Sequence, residues 1–399
     1  MKPSQNDIAV VGMGPAGATV LRYLLVQNHE ALDTGKIIAI DRRKVIGTPV
    51  SCGELMPTVS AMQRLTPHVV DPKEAYSVDK KYQTVQHQKI TFVAPNSWSI
   101  STPFDSFSMD RASWNRDIVA LAEDEGVQVY LNTRAIRFNG RELAVRQGAT
   151  VSRIKARVFV AADGVNSLFS RDQKPQEIVW CRQHVVESLS SSYDPSNVLM
   201  FFGANYAPGA YAWIIPKTNE TANVGLGVRR EYLAPNTSPK TIINNLWNHP
   251  LAKQVLEGSQ INSSVSASVP VGMPLQSTVK DRVIFVGDSA SQVISHVGAG
   301  IPPAMVAGRE AANAIVSHIV NGEPLQAYDH EWRKQLLPVM KASYKLRRIW
   351  DKLSSTNSRI QWYLRRLKKK DLESVVYAEI PFKLKMSSFL IPLANIAVR

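Results

Sequence analysis

Residues Asp7 to Gly17 read DIAVVGMGPAG. The apolar run Ile8 to Val11 leads into Gly12, Gly14 and Gly17, and a helix-like segment continues through Leu25. This spacing predicts a strand, a tight turn and a helix. Gly12 makes the turn, Gly14 lets the backbone approach a phosphate, and Gly17 lets helix pack on strand. The helix N-terminus then offers its unpaired amides to negative charge. About 24 residues past Gly17 the apolar run Lys36 to Ile40 ends in Asp41, an acid placed to accept from a ribose hydroxyl. The loop alone does not separate FAD from NAD.

A chain of 399 residues has room for two domains, each with its own core. Met1 to Asp7 is polar, and the first apolar run is too short and too glycine-interrupted for a signal peptide or a membrane span. The protein is therefore expected to start in the cytoplasm. Its two cysteines, Cys52 and Cys181, are too few for a disulfide framework and wrongly spaced for zinc, so no metal site is expected. A net charge of +14 suits nucleic acid, anionic membranes or phosphorylated substrates. No recognition motif supports nucleic acid.

Outward from the glycine loop, Arg42 and Arg43 precede Ile46 to Glu54, IGTPVSCGE, a Gly/Pro-punctuated loop where chemistry is commonly placed. Tyr82 to Pro103 alternates apolar and polar residues, as strands of a different sheet do. Met109, Asp110 and Arg111 precede a helix expected from Ala112 to Glu125. Val158 to Ala162 reads as a buried strand running into Asp163 and Gly164, back in the first domain. Ile178 to Val271 is again strand-rich, with one helical piece near Thr241 to Leu256. Val283 to Val286 then leads to Gly287 and Asp288, and a helix is expected from Pro302 to Val320. Residues 1-75, 104-172 and 276-335 are expected to form a discontinuous cofactor domain, 76-103 and 173-275 an inserted substrate domain, and 336-399 a basic helical region.

That last region interleaves Lys341, Lys345, Arg347, Arg348 and later basic residues with Tyr344, Trp350, Trp362 and Tyr363. It closes on Phe389, Leu390, Ile391, Leu393 and Ile396, an end too short to span a bilayer but able to lie on one. Attachment to an anionic membrane surface is expected.

Three separated signatures, Gly12 to Gly17, Asp163–Gly164 and Gly287–Asp288, come in the order and approximate spacing of FAD-dependent hydroxylase-type flavoproteins. More narrowly, Ser51 to Glu54 (SCGE) and Pro208 to Lys217 (PGAYAWIIPK) resemble the geranylgeranyl reductase family, over roughly residues 7 to 330. Of the family pattern P-x-x-Y-x-W-x-F-P-K, Pro208, Tyr211, Trp213, Pro216 and Lys217 match, while Ile215 stands where Phe is expected. A second departure follows Asp288: relatives usually carry Asp-Pro-x-Thr before Gly-Gly-Gly, and here Ile294 to Gly300 reads ISHVGAG.

The resemblance implies an α/β fold: a Rossmann-like FAD-binding domain with an inserted antiparallel-sheet substrate domain and a C-terminal helical region. It implies FAD held by Gly12, Gly14, Ala16, Gly17, Asp41, Cys52, Gly53, Arg111, Ala135, Asp163, Gly164, Gly287, Asp288, Gly300 and Ile301. Within that set Asp288 would meet the ribityl or phosphate part, and Gly300 and Ile301 would offer amides to the isoalloxazine. Cys52, Tyr211 and Trp213 are the catalytic candidates, the last two as one wall of an apolar tunnel for a polyprenyl chain. Cys52 in isolation reads as a small buried hydrophobe. Lys217 is either a strand-end charge or a handle for a phosphate head group.

The activity implied is FAD-dependent saturation of geranylgeranyl C=C bonds on isoprenoid ether (phospho)lipids. The enzyme is expected in the cytoplasm, peripheral to the inner face of the cell membrane. Hydride would come from reduced FAD and the proton from Cys52, Glu54, Tyr211 or an ordered water. With no second glycine-rich strand–turn–helix unit, the electron donor stays open among NADPH, a ferredoxin and another reduced carrier. The alternatives are a flavin-dependent monooxygenase or halogenase on the same fold, and a membrane-associated electron-transfer flavoprotein.

Overall fold

The computed structural model describes residues 5–28, 32–170, 177–354 and 356–381. The chain opens with β1 (Gln5–Val11), α1 (Pro15–Asn28) and β2 (Ile37–Ile40). β1 and β2 pair in parallel, Ile8 opposite Ile37 and Val11 opposite Ile40, all four buried. Strands covered on both faces require such unbroken apolar runs. At Gly12 and Gly17 the turn between β1 and α1 admits no side chain. A Cβ on Gly12, at φ +93°, would lie 2.4 Å from the Ala162 carbonyl oxygen, and one on Gly17 would lie 1.9 Å from that of Gly12.

β3 (Leu55–Pro57), α2 (Val59–Leu65) and α3 (Pro72–Tyr76) lead to the hairpin of β4 (Gln83–Val93) and β5 (Ser99–Met109). α4 (Arg111–Asp124) follows, capped by Asp110, whose carboxylate accepts from the Ser113 amide at 3.0 Å. After β6 (Gln128–Tyr130), β7 (Thr133–Phe138) and β8 (Glu142–Gln147), β9 (Thr150–Ala161) lies parallel beside β1. Next come β10 (Ile178–Glu187), β11 (Asn197–Phe201), β12 (Ala212–Pro216) and β13 (Ala222–Arg229). The single helical piece expected near residues 241–256 is three short helices, α5 (Pro239–Ile242), α6 (Asn244–Trp247) and α7 (Pro250–Leu256), the first and last opened by a proline. β14 (Gln260–Pro270), β15 (Val279–Lys280) and β16 (Val283–Phe285) precede α8 (Ile301–Asn321), α9 (Ala327–Leu353), α10 (Asn357–Leu364) and α11 (Lys369–Val376).

The strands form two sheets. The first is ordered β15-β16-β9-β1-β2-β6, with β7 and β8 attached to β9 as a ribbon. Alternation along β1 divides its two faces: Ile8 and Val10 pack with α1, α4 and α8, whereas Ala9 and Val11 share a core with the ribbon residues Leu143 and Val145. The second sheet is ordered β14-β10-β13-β12-β11-β4-β5-β3. It is antiparallel at every pairing except β4 with β11, which the long excursion between them permits.

The C-terminal helices are part of this architecture. Leu346, Ile360, Leu364 and Leu372 share a core with Ile90, Phe92, Met200 and Ile215 of the second sheet. Burying one such leucine contributes about 2 kcal/mol. α9 joins the two units: Trp332 and Leu336 belong to the core of the first sheet, Leu346 and Leu353 to that of the second. The boundary expected at 335/336 therefore falls inside one continuous helix, because composition changes there while the backbone does not. Likewise β3 and all of β5 pair in the second sheet, although 55–57 and 104–109 are expected in the cofactor domain. Among the described residues no helix is long and apolar enough to cross a membrane. The apolar end at Phe389, Leu390, Ile391, Leu393 and Ile396 lies outside the described residues.

Candidate active site

A cleft of about 1260 Å³ runs over the ends of β1, β2, β9 and β16. It is lined by Gly12, Gly14 and Ala16 from the first turn, Asp41 after β2, and Arg111 at the start of α4. Ala135 of β7 lines it too, with Asp163 and Gly164 after β9, Gly287 and Asp288 after β16, and Gly300 before α8. The structure thus gathers eleven of the expected cofactor residues in one place. Gly17 lies instead in the contact of α1 with the turn, while Cys52, Gly53 and Ile301 line an adjoining cavity.

The cleft's donor set fits a dinucleotide. Gly14 leaves open space where a side chain would stand, so backbone is accessible there. Arg42, Arg43 and Arg134 join Arg111 along the wall, planar cations suited to phosphate oxygens. Two buried polar atoms, Arg111 Nε and Asp163 Oδ1, have no hydrogen-bond partner within the protein. Such groups are costly to leave unpaired, and a polar ligand satisfies them. Burial raises the Asp288 carboxyl to about 6 against the opposing pull of the Arg111 guanidinium, and burial raises Asp163 as well. Asp41 has a duty within the fold that its position in sequence does not announce. Its oxygens accept from the Met13 and Arg43 amides, each at 2.8 Å, which braces the glycine turn against the end of β2. A carboxylate accepts about four hydrogen bonds, so capacity toward the cleft remains.

The adjoining cavity, of about 280 Å³, is walled by aromatic and aliphatic side chains. Phe92, Phe104, Met200 and Phe202 come from the second sheet and its loops, Met62 and Leu65 from α2, and Trp350, Tyr363 and Leu364 from α9 and α10. Tyr211 and Trp213 line it together, their rings 6.0 Å apart and edge to face. The Tyr211 hydroxyl donates to the Val297 carbonyl at 2.5 Å, and burial raises its pKa. Burial also pushes up both thiols at this wall, Cys52 against the influence of Arg111, and Cys181 to about 12. Cys181, Val269 and Gly300 line cleft and cavity alike, so the two chambers adjoin.

A chain of buried hydrogen bonds sets the loop at Cys52. Trp213 Nε1 donates to Gln183 Oε1 at 3.2 Å, and Gln183 Nε2 donates to the Cys52 carbonyl at 2.9 Å and to Asn223 Oδ1 at 3.2 Å. Asn223 Nδ2 donates to the Gly53 carbonyl and to Glu54 Oε2, each at 3.1 Å. Glu54 also forms an ion pair with Lys217. Lys217 is therefore engaged inward rather than held out as a free head-group handle. Gln183 and Asn223 are absent from the sequence-based site, yet Asn223 is a polar residue within the apolar run of β13, a signal of a buried role.

The basic, aromatic C-terminal pattern also divides in a way the sequence does not show. Arg347 is 5% exposed and is paired with Asp351 and Glu177, while Trp350 and Tyr363 face the cavity. Trp362 remains outside, 52% exposed, with the Arg366 guanidinium 3.7 Å above its ring. The departing segment Ile294 to Gly300 is held by the same helices. The His296 amide and its Nδ1 both meet Ser343 Oγ of α9, at 3.0 and 2.8 Å, and the ring lies near the backbone of Val375 and Val376 in α11, with Nε2 left without a hydrogen-bond partner. Burial lowers the imidazole to about 4, so it is neutral near pH 7.

The model of the geranylgeranyl reductase catalytic domain matches residues 177–267, which span β10 to most of β14. A digeranylgeranylglycerophospholipid reductase of Methanosphaerula palustris is 30% identical over 366 residues, covering 86% of each chain. A second, from Methanopyrus kandleri, is 28% identical and covers 88% of this chain and 87% of its own. Among solved structures, a geranylgeranyl bacteriochlorophyll reductase-like protein of Thermoplasma acidophilum superposes with a TM-score of 0.73 at 21% identity, over 97% of this chain and 96% of that one. A myxobacterial chondrochloren halogenase, described as FAD-dependent, superposes at 0.67 with 16% identity over 96% and 92%, a likeness of fold alone. With 30% identity to such a reductase over 86% of each chain, the chain belongs to the geranylgeranyl reductase family.

Proposed function

We propose that the protein is an FAD-dependent oxidoreductase that saturates C=C bonds of geranylgeranyl chains on isoprenoid ether phospholipids. FAD occupies the cleft and a prenyl chain occupies the cavity. The observation that carries this reading is the shared wall at Cys181, Val269 and Gly300, which brings an apolar chamber against a dinucleotide cleft. When bound, the flavin supplies hydride chemistry.

The chain's own residues bind, orient and exclude water. Gly12, Gly14 and Ala16 present backbone to the pyrophosphate, Arg111 adds a cation, and Asp41 accepts from a ribose hydroxyl. Asp163, Gly164, Ala135, Gly287 and Asp288 complete the cofactor's bed, and Gly17 keeps α1 close enough to form it. Cys52, Gly53, Gly300 and Ile301 stand where the ring system meets the cavity. Tyr211 and Trp213 hold the alkene in a water-poor wall, which aligns the reacting carbons.

Electrons come from an external reduced carrier. Exposed Lys345, Arg348, Arg365 and Arg366, with the exposed ring of Trp362, support peripheral attachment to an anionic membrane where the lipid resides. The test is anaerobic: chemically reduced protein is mixed with a geranylgeranylated phospholipid, and flavin reoxidation is followed with product mass. Paired hydrogens gained per bond are expected. An oxygen gained, or an unchanged lipid, overturns the reading in favour of the monooxygenase or electron-carrier alternative.

A further inference from the structure

Granted the reading above, each saturated bond consumes a proton as well as a hydride, and an apolar wall offers few groups to supply it. The Tyr211 hydroxyl already donates to the Val297 carbonyl, and its pKa is raised. The Cys52 thiol is pushed up by burial. His296 meets Ser343 through Nδ1 and leaves Nε2 without a hydrogen-bond partner, but burial lowers the ring to about 4, so it carries no acidic proton near neutral pH. Arg229 and Arg347 also reach the cavity, but they are committed to Glu177 and Asp351, and a guanidinium does not give up its proton.

Glu54 differs from all of these. It lines the cavity at 1% exposure, and its Oε1 has no hydrogen-bond partner in the protein. Its backbone stands at φ +62°, a conformation that costs a non-glycine residue about 1 kcal/mol and persists where surroundings enforce it. The enforcing contacts are present: Asn223 holds both the Gly53 carbonyl and Glu54 Oε2, with Gln183 and Trp213 behind it. On the other side Oε2 meets Lys217, whose side chain keeps 26% of its exposure and stands outside the cavity lining. Lys217 reaches solvent, Glu54 reaches the cavity, and the two touch.

We infer that Glu54 is the catalytic proton donor to the alkene and that Lys217 reprotonates it from solvent. The Lys217 ammonium passes a proton to the Glu54 carboxylate, and rotation about Cγ–Cδ carries the O–H to the cavity side. That O–H bond breaks as a C–H bond forms at one alkene carbon, and the other carbon takes the hydride that reduced flavin supplies. Both electrons of the reduction come with the hydride and none from Glu54. Water returns the proton to the Lys217 amine. Asn223 is the positioning residue that keeps the carboxyl aimed.

The test compares the full-length wild type with Glu54→Gln and Lys217→Met. Lipid binding is read separately, from tryptophan fluorescence of the oxidised holoenzyme titrated with a geranylgeranylated phospholipid. E54Q is expected to bind the lipid as tightly as the wild type and to saturate it at least ~100-fold more slowly. K217M is expected to lose activity at a lower pH on its alkaline limb, because its carboxyl must then be protonated directly from water. An E54Q enzyme keeping about a tenth or more of the wild-type rate, or losing lipid affinity in step with rate, overturns the inference. So does a K217M pH profile that superposes on the wild type. A wild-type enzyme that leaves the double bonds intact removes the functional reading first, and this inference with it.

Discussion

The cleft and the cavity share three wall residues yet are built by opposite means. The cleft is a product of backbone: glycine turns and acids within a few residues of the ends of β1, β2, β9 and β16. The cavity is a product of faces, assembled from α2, the second sheet, the segment 294–300 and the C-terminal helices, whose side chains meet only after folding. A site made of turns tolerates little change at a few positions. One made of faces spreads its tolerance over many contacts and depends on every element keeping its place.

Gly12→Val attacks the backbone design directly, since its Cβ falls 2.4 Å from the Ala162 carbonyl oxygen at φ +93°. The expected outcome is a loss above about 4 kcal/mol, with protein that retains no flavin. Urea unfolding and visible absorbance per mole of protein check it, and a yellow, stable variant breaks the contrast. Leu364→Ala removes one side chain of the cavity wall, 1% exposed. It should cost about 2–5 kcal/mol and weaken lipid binding while leaving flavin content unchanged.

Acid should distinguish the chambers by sign. Asp288 is raised from 3.8 to about 6, so in cofactor-free protein its contribution is fully present below pH 3.8 and lost as pH rises to about 6. His296 is lowered from 6.5 to about 4, so its contribution is present above pH 6.5 and lost as pH falls toward 4. Each effect is worth up to about 3 kcal/mol. Unfolding midpoints across this range should therefore show Asp288→Asn stabilising above pH 6, and His296→Gln flattening the loss below pH 6.5. Equal responses from the two variants would erase the distinction.

The smallest effect is expected at Arg64, which links α2 to α11 by pairing with Glu373 and Glu379 and lying 4.0 Å over the Tyr377 ring. At 43% side-chain exposure, Arg64→Gln should cost about 1 kcal/mol or less in a denaturant titration. A larger loss would mean that the cavity's rim, and not only its wall, is held by few contacts.

Legibility followed the same division. The glycine loop, Asp163–Gly164 and Gly287–Asp288 are visible because each depends on spacing of a few residues, and the structure brings them to one cleft. Helices at Arg111–Asp124 and Ile301–Asn321 are visible because period and end signals are local. Tyr211 and Trp213 share the cavity wall, as their alternation implies. The placement of Trp350 and Tyr363 was not legible: periodicity marks an apolar face, but a sheet and a membrane present the same demand to it. Nor could spacing show that Lys217, 163 residues from Glu54, ends beside it.

By itself the sequence determined where the backbone must turn, which runs must be buried, and that acids follow the strand ends. Those outcomes depend on steric limits and hydrophobic period, both of which act over a few residues. Only tertiary structure decided what each apolar face covers, that α9 joins two cores, and that a buried carboxylate meets a lysine at the edge of a hydrocarbon chamber. Such pairings are settled by the packing of distant surfaces and by the cost of leaving a buried charge unpaired, and neither has a local signature.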